Sequence, residues 1–182
     1  MDKKRIKNFQ IFSTIFTFIL GTLLHFTYNL SDNNKLVAVF SSVNESTWEH
    51  LKLIYFPMVI TLIIGLVYFK NSIPNFLCSK TIGILTSIFF TIIFFYTYSG
   101  VIGKNIAVID ILSFFISVTL GEYVTYKMIT TYFKCNDKIS IIILIVLLIC
   151  FVIFTFYTPK IGLFKDPVSR NYGIIENRSQ YY

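Results

Sequence analysis

An all-α, polytopic membrane helical bundle of about five transmembrane helices is what this sequence predicts, and three observations carry that expectation. Hydrophobic residues make up 55% of the 182 and charged residues only 14%, with a mean hydropathy of +0.70, too little polar surface to cover a soluble domain. Five apolar runs, at 9–28, 51–69, 81–98, 106–126 and 139–157, are of a length that crosses a bilayer as a helix. The basic residues flank these runs. The net charge of +7, which in a soluble protein would point to nucleic acid, is therefore read as orientation signal and lipid-headgroup contact, with membrane lipid as the partner and nucleic acid excluded. The chain suffices for a single membrane domain, 1–182, whose residues 158–182 form an outer polar tail.

The first run follows Lys3, Lys4, Arg5 and Lys7. It lacks a small-residue cleavage site and continues through His25 to Tyr28, so it reads as a retained helix and not as a signal peptide. Ser13, Thr17, Gly21, His25 and Asn29 recur every four positions, a stripe of mostly small residues that lets another helix approach and turns this face into the bundle. After a polar turn at Asp32-Asn33-Asn34-Lys35, Ser42 followed by Glu45 fits a capping box, so a helix is expected to begin there and to continue through the second span. Pro57 interrupts that span and withdraws the backbone donor for the Leu53 carbonyl.

Gly83, Ser87 and Thr91 form a comparable stripe on the third span. On the fourth, Asp110, Ser113, Ser117, Gly121 and Thr125 share one side, with Glu122 about 120° from Asp110 on the helical wheel. The fifth is almost continuously apolar and is expected to face lipid over much of its circumference. Cys78, Cys135 and Cys150 show no metal-ligand spacing and read as reduced or inert thiols without a disulfide framework.

Lysine and arginine set the orientation. With a cytoplasmic N-terminus, nine fall on cytoplasmic segments, Lys70 and Lys80 among them, against seven outside, including Lys52 and Arg178. Five spans then leave the C-terminus outside, with the tail from Thr158 either folding over the outer mouth as a lid or, past Glu176, fraying. Sequons at Asn29, Asn44 and Asn177 are weak patterns.

Most of the chemistry sits between the first two spans, where Glu45, Glu49, His50 and Lys52 surround the lone Trp48. His25, Glu49, His50 and Asp110 offer the nitrogen and oxygen donors that suit a divalent metal such as zinc, although the spacing is not a recognised metal motif. With Glu45 they form the candidate catalytic set; Tyr28, Asn44, Trp48, Lys52 and Glu122 are the candidate binding residues. A purely structural account has Glu45 as a helix cap, Glu49 paired with Lys52, Trp48 as an interfacial anchor and His50 solvated. Inside the membrane an ionisable Glu122 defaults to a functional role as a proton or cation site, with a snorkelling bridge to Lys127 as its competitor.

The run Gly21 to Tyr28, the segment Val43 to Lys52 with its Asn-Glu-Ser-x-Trp-Glu-His-x-Lys pattern, and the tail residues Phe164 to Val168 with Tyr172-Gly173 resemble a family of small bacterial integral-membrane proteins of unknown function. The resemblance implies a fold class and a bacterial inner-membrane location, and no activity. A fainter likeness is to membrane hydrolases of the ceramidase and adiponectin-receptor type, which hold zinc in a bundle of seven spans with a different histidine pattern. Two functional readings follow: a metal or acid/base site at the outer face that hydrolyses or binds a lipid-linked or amphiphilic substrate, or a small transporter or accessory component that uses Glu122. Transport through so thin a bundle would favour a homo-oligomer or a membrane partner.

Overall fold

The computed structural model describes residues 2–70 and 72–174; the Asn177 sequon, Arg178 and the question of fraying past Glu176 lie outside the described residues. Five α-helices follow one another, α1 (Lys3–Leu30), α2 (Thr47–Phe69), α3 (Phe76–Ile102), α4 (Ala107–Thr130) and α5 (Asp137–Phe156), and each is long and apolar enough to cross a membrane. The protein is a multi-pass membrane bundle with no strand among the described residues. The basal end holds the N-terminus, the α2–α3 turn and the α4–α5 turn; the distal end holds the α1–α2 and α3–α4 connections and the tail.

The helices reach beyond the apolar runs because polar caps begin them. Asp2 accepts from the Lys4 and Arg5 amides at the start of α1, and Asn136 accepts from the Lys138 amide at the start of α5. Gly103, at φ +81°, closes α3 in a left-handed conformation that suits glycine.

Small residues decide which helices touch. The α3–α4 interface is the most extensive, and at its centre Gly83 and Gly121 face each other so closely that the backbone carbonyl of each occupies the space a side chain on the other would need. Ser87 donates across it to the Ser117 carbonyl at 2.8 Å. On α1, Ser13, Thr17 and Gly21 are buried as their spacing predicts. Gly21 lies against the Leu53 carbonyl, the one that Pro57 deprives of its helical donor, and a Cβ there would stand 2.5 Å from the oxygen. Among the described residues of α5, only Ser140, Phe151 and Thr155 are buried; Leu144, Leu147 and Phe154 pack in part against the core, while Ile139, Ile141, Ile142, Ile145, Val146, Leu148, Ile149 and Ile153 are exposed.

Two expectations are corrected. Cys78 and Cys135 are joined by a disulfide that ties the start of α3 to the α4–α5 turn. Their positions are 57 residues apart in sequence and meet only because α3 and α4 form a hairpin, a proximity that local spacing does not register. Lys80 and Lys52, counted among the flanking charges, are instead completely buried inside α3 and α2. One leaves each side of the count, so the basic bias toward the basal end is unchanged.

Candidate functional site

The α1–α2 connection is fastened to α1 before it supplies any chemistry. Ser41 donates to the Leu24 carbonyl and accepts from the Tyr28 amide at 2.9 Å, while Ser42 donates to the His25 carbonyl at 3.3 Å. Tyr28, buried against Ala38 and Val43, fills the space beneath. Asn44 then accepts from the Ser46 amide and donates to the Gly173 carbonyl in the tail, both at 2.8 Å.

Helix α2 begins one turn later than the Ser42 to Glu45 spacing suggests. Ser46 is the N-cap and accepts from the Glu49 amide at 3.4 Å. The delay has a chemical consequence, because Glu45 precedes the helix and no longer shares a face with Glu49 and Lys52. Its carboxylate turns toward α1. Glu45 Oε2 lies 3.3 Å from His25 Nε2 and 3.5 Å from His50 Nε2, and the two imidazole centroids are 5.1 Å apart. One ligand-type atom from each of these three residues falls within 4.8 Å of the others. The His50 Nδ1 lies 2.9 Å from the Ser46 carbonyl, which only accepts, so Nδ1 carries a proton and Nε2 is the ring nitrogen turned toward Glu45. All three side chains are half-buried at the distal end.

Glu49 is not part of this cluster. It is buried with Lys52, Oε2 at 2.5 Å from Nζ, and accepts from the Val43 amide at 3.0 Å. Lys52 also donates to the Ala38 carbonyl at 2.7 Å, and the Thr155 hydroxyl of α5 lies between the two charges, 3.2 Å from Glu49 Oε1 and 3.0 Å from Lys52 Nζ. The pair is neutral and saturated, and it supports the connection from below. Asp110, on the first turn of α4, accepts a short hydrogen bond from the Tyr98 hydroxyl and is near enough to His50 and Glu45 for their charges to act on it. Trp48 is a core residue, with its ring centroid 4.8 Å from that of Phe151 and 4.9 Å from that of Phe164.

The tail closes the assembly from outside. Asp166 Oδ2 accepts from the Glu45 amide at 3.2 Å, and its Oδ1 accepts from the Val168 and Ser169 amides at 2.7 and 3.1 Å. Through 174 the tail therefore covers the distal connection and fixes the backbone that aims Glu45.

Glu122 belongs to a second network, in the basal half. It forms an ion pair with Lys80 in place of the Lys127 bridge, and the Ser13 hydroxyl donates to its Oε1 at 2.6 Å while accepting from Lys80 Nζ at 2.7 Å. Thr61 of α2 lies 2.8 Å from Ser13.

The sequence of residues 1–174 matches the model of a family of unknown function, DUF6512. The chain belongs to the DUF6512 family. No curated protein and no solved structure matches this DUF6512 chain. Lys80, Tyr98 and Thr155 were not singled out from sequence as contributors to its sites, and Asp166 was noted only within the tail segment that resembles the family. Lys80 carried a usable signal, since it continues the buried stripe of Gly83, Ser87 and Thr91 at helical spacing. Nothing local tied Thr155 or Asp166 to the site, because each acts on residues more than 100 positions away.

Proposed function

We propose that this DUF6512 protein holds a divalent metal, zinc by donor chemistry, between His25, Glu45 and His50 at the outer end of the bundle, and hydrolyses a lipid-linked or amphiphilic substrate there. The observation that carries the reading is the convergence of two imidazoles on one carboxylate within 4.8 Å. Two histidines and a carboxylate suit catalytic zinc, which keeps a fourth position for water and activates it. Glu45 and the two Nε2 atoms hold the ion, the Ser46 carbonyl fixes the His50 ring, and Asp110 with Tyr98 is placed to receive a proton at the rim. The cluster lies where the helices end and the tail begins, at headgroup level, which favours an amphiphilic substrate over a wholly soluble one.

The orientation proposed is a cytoplasmic N-terminus and an outer C-terminus in a bacterial inner membrane, on the four basic residues that precede α1. The alternative, transport with Glu122 as a proton or cation site, is the weaker reading, because Lys80 already neutralises that carboxylate. Elemental analysis of detergent-purified, zinc-loaded and desalted protein tests the metal site. About one zinc per chain is expected in the wild type and a small fraction of that in His25→Ala and His50→Ala. Wild-type protein that retains no metal refutes the proposal.

A further inference from the structure

At the basal end α1 and α2 enclose an open groove of about 520 Å³. From the end of the bundle inward, Lys4 and Arg5 come first, Asn8 follows about one turn along α1, and Phe12 and Ile64 stand deeper, beyond the Tyr68 ring. Lys4, Arg5 and Asn8 are exposed, so their polar groups are open to a ligand from outside. Asp2 borders the same groove, and its Oδ1 accepts from the Lys4 and Arg5 amides at 3.0 and 3.2 Å. Two cations outweigh that one carboxylate.

Arg5 separates this groove from an ordinary basic surface. Its guanidinium lies 4.4 Å from the Tyr68 ring centroid, and one N–H donates to the Tyr68 carbonyl at 3.3 Å. That carbonyl is in the last turn of α2, where helical donors run out, and the Phe9 ring, 5.6 Å from that of Tyr68, backs the stack. The contact uses one of the five N–H groups of a guanidinium. The planar fork is thus held in place with donors to spare, an arrangement that suits phosphate oxygens. Below it the wall is apolar: Phe12 and Ile64 are exposed on helices that cross the membrane, along the path an acyl chain takes.

We propose that this groove binds an anionic phospholipid, its phosphate on Arg5, Lys4 and the Asn8 amide and one acyl chain along Phe12 and Ile64. The site is at the opposite end of the bundle from His25, Glu45 and His50 and does not depend on the metal reading. A zwitterionic phospholipid brings its own cation next to Lys4, and a soluble phosphate offers nothing to Phe12 and Ile64.

Native mass spectrometry of the full chain in detergent, with phosphatidylglycerol or phosphatidylcholine of identical acyl chains, tests this. Phosphatidylglycerol is expected to be retained about fivefold over phosphatidylcholine, the size of effect that a basic residue at the membrane surface supplies. Lys4 and Lys7 are exposed lysines about one turn apart on α1, of which Lys4 borders this groove and Lys7 the one between α1 and α4. Lys4→Gln should therefore cut the preference to about twofold or less, whereas Lys7→Gln, with the same loss of charge, should leave it in place. Arg5→Lys keeps the charge, loses the fork and should reduce the preference as Lys4→Gln does. Equal retention of the two lipids by the wild type, equal effects of Lys4→Gln and Lys7→Gln, or an unchanged preference in Arg5→Lys overturns the assignment. Displacement of phosphatidylglycerol by an equal concentration of glycerol 3-phosphate would assign the groove to a soluble phosphate and overturn the lipid claim.

Discussion

The two ends of this bundle handle buried charge differently. At the basal end Glu122 has its own lysine, Lys80, on a neighbouring helix, and the Glu49–Lys52 pair beneath the distal connection repeats the arrangement within α2. At the distal rim the groups seen around the Glu45 carboxylate are of another kind. This carboxylate meets two imidazoles that are neutral donors unless protonated, and all three remain within reach of water. A carboxylate matched by a lysine is electrically spent and serves the fold. One set between two imidazoles can still accept a cation, which is why the proposed chemistry is assigned to Glu45 and not to Glu49 or Glu122.

The comparison of the two ends can be broken in several ways. The most complete effect concerns which end faces the cytoplasm. The Cys78–Cys135 bond lies at the basal end, and a cytosolic location would keep that pair as thiols in cells. Alkylation of the exposed Cys135 in intact cells by a membrane-permeant reagent and not by an impermeant one would put the basal end in the cytosol with the pair reduced. Resistance to both reagents until reductant is added would place that end on the oxidising side and reverse the orientation. The largest energetic effect should come from Lys80→Leu, which leaves Glu122 buried and unpaired and is expected to cost about 3–5 kcal/mol. Denaturant unfolding in detergent measures it. The double variant Lys80→Leu, Glu122→Leu should recover most of the loss, and failure to recover would mean that the pair is more than a neutralised charge. The smallest is Asn44→Ala, which removes one bond to the tail and one to the Ser46 amide and should cost about 1 kcal/mol. A loss of zinc affinity without that destabilisation would show Asn44 acting on the site directly.

Periodicity made the fold legible. Hydropathy located the five spans, and the Ser13, Thr17, Gly21 and Ser113, Ser117, Gly121 stripes named the faces that pack. The site was legible in part: His25, His50 and Asp110 were nominated, and the structure gathers the first two with Asp110 nearby. Which glutamate joins them was not. Sequence reading took Ser42 to Glu45 as the cap, whereas the helix starts at Ser46, three residues before Glu49, because Ser41 and Ser42 tie the connection to α1 and hold it out of the helix until there. That contact links residues 17 apart through tertiary packing, and no local pattern encodes it. Lys80 failed for a related reason. Its proximity to a turn suggested a flanking charge, while its register on α3 placed it in the core.

Zinc titration of two variants tests the central claim most directly, since it sets one glutamate against the other in the same folded protein. Glu45→Gln should lower zinc affinity about tenfold or more. Glu49→Gln combined with Lys52→Met, which removes the supporting pair as a neutral unit, should leave the affinity within about a factor of three among folded molecules. Undiminished affinity in Glu45→Gln, or its loss only in the Glu49 and Lys52 double variant, would contradict the account.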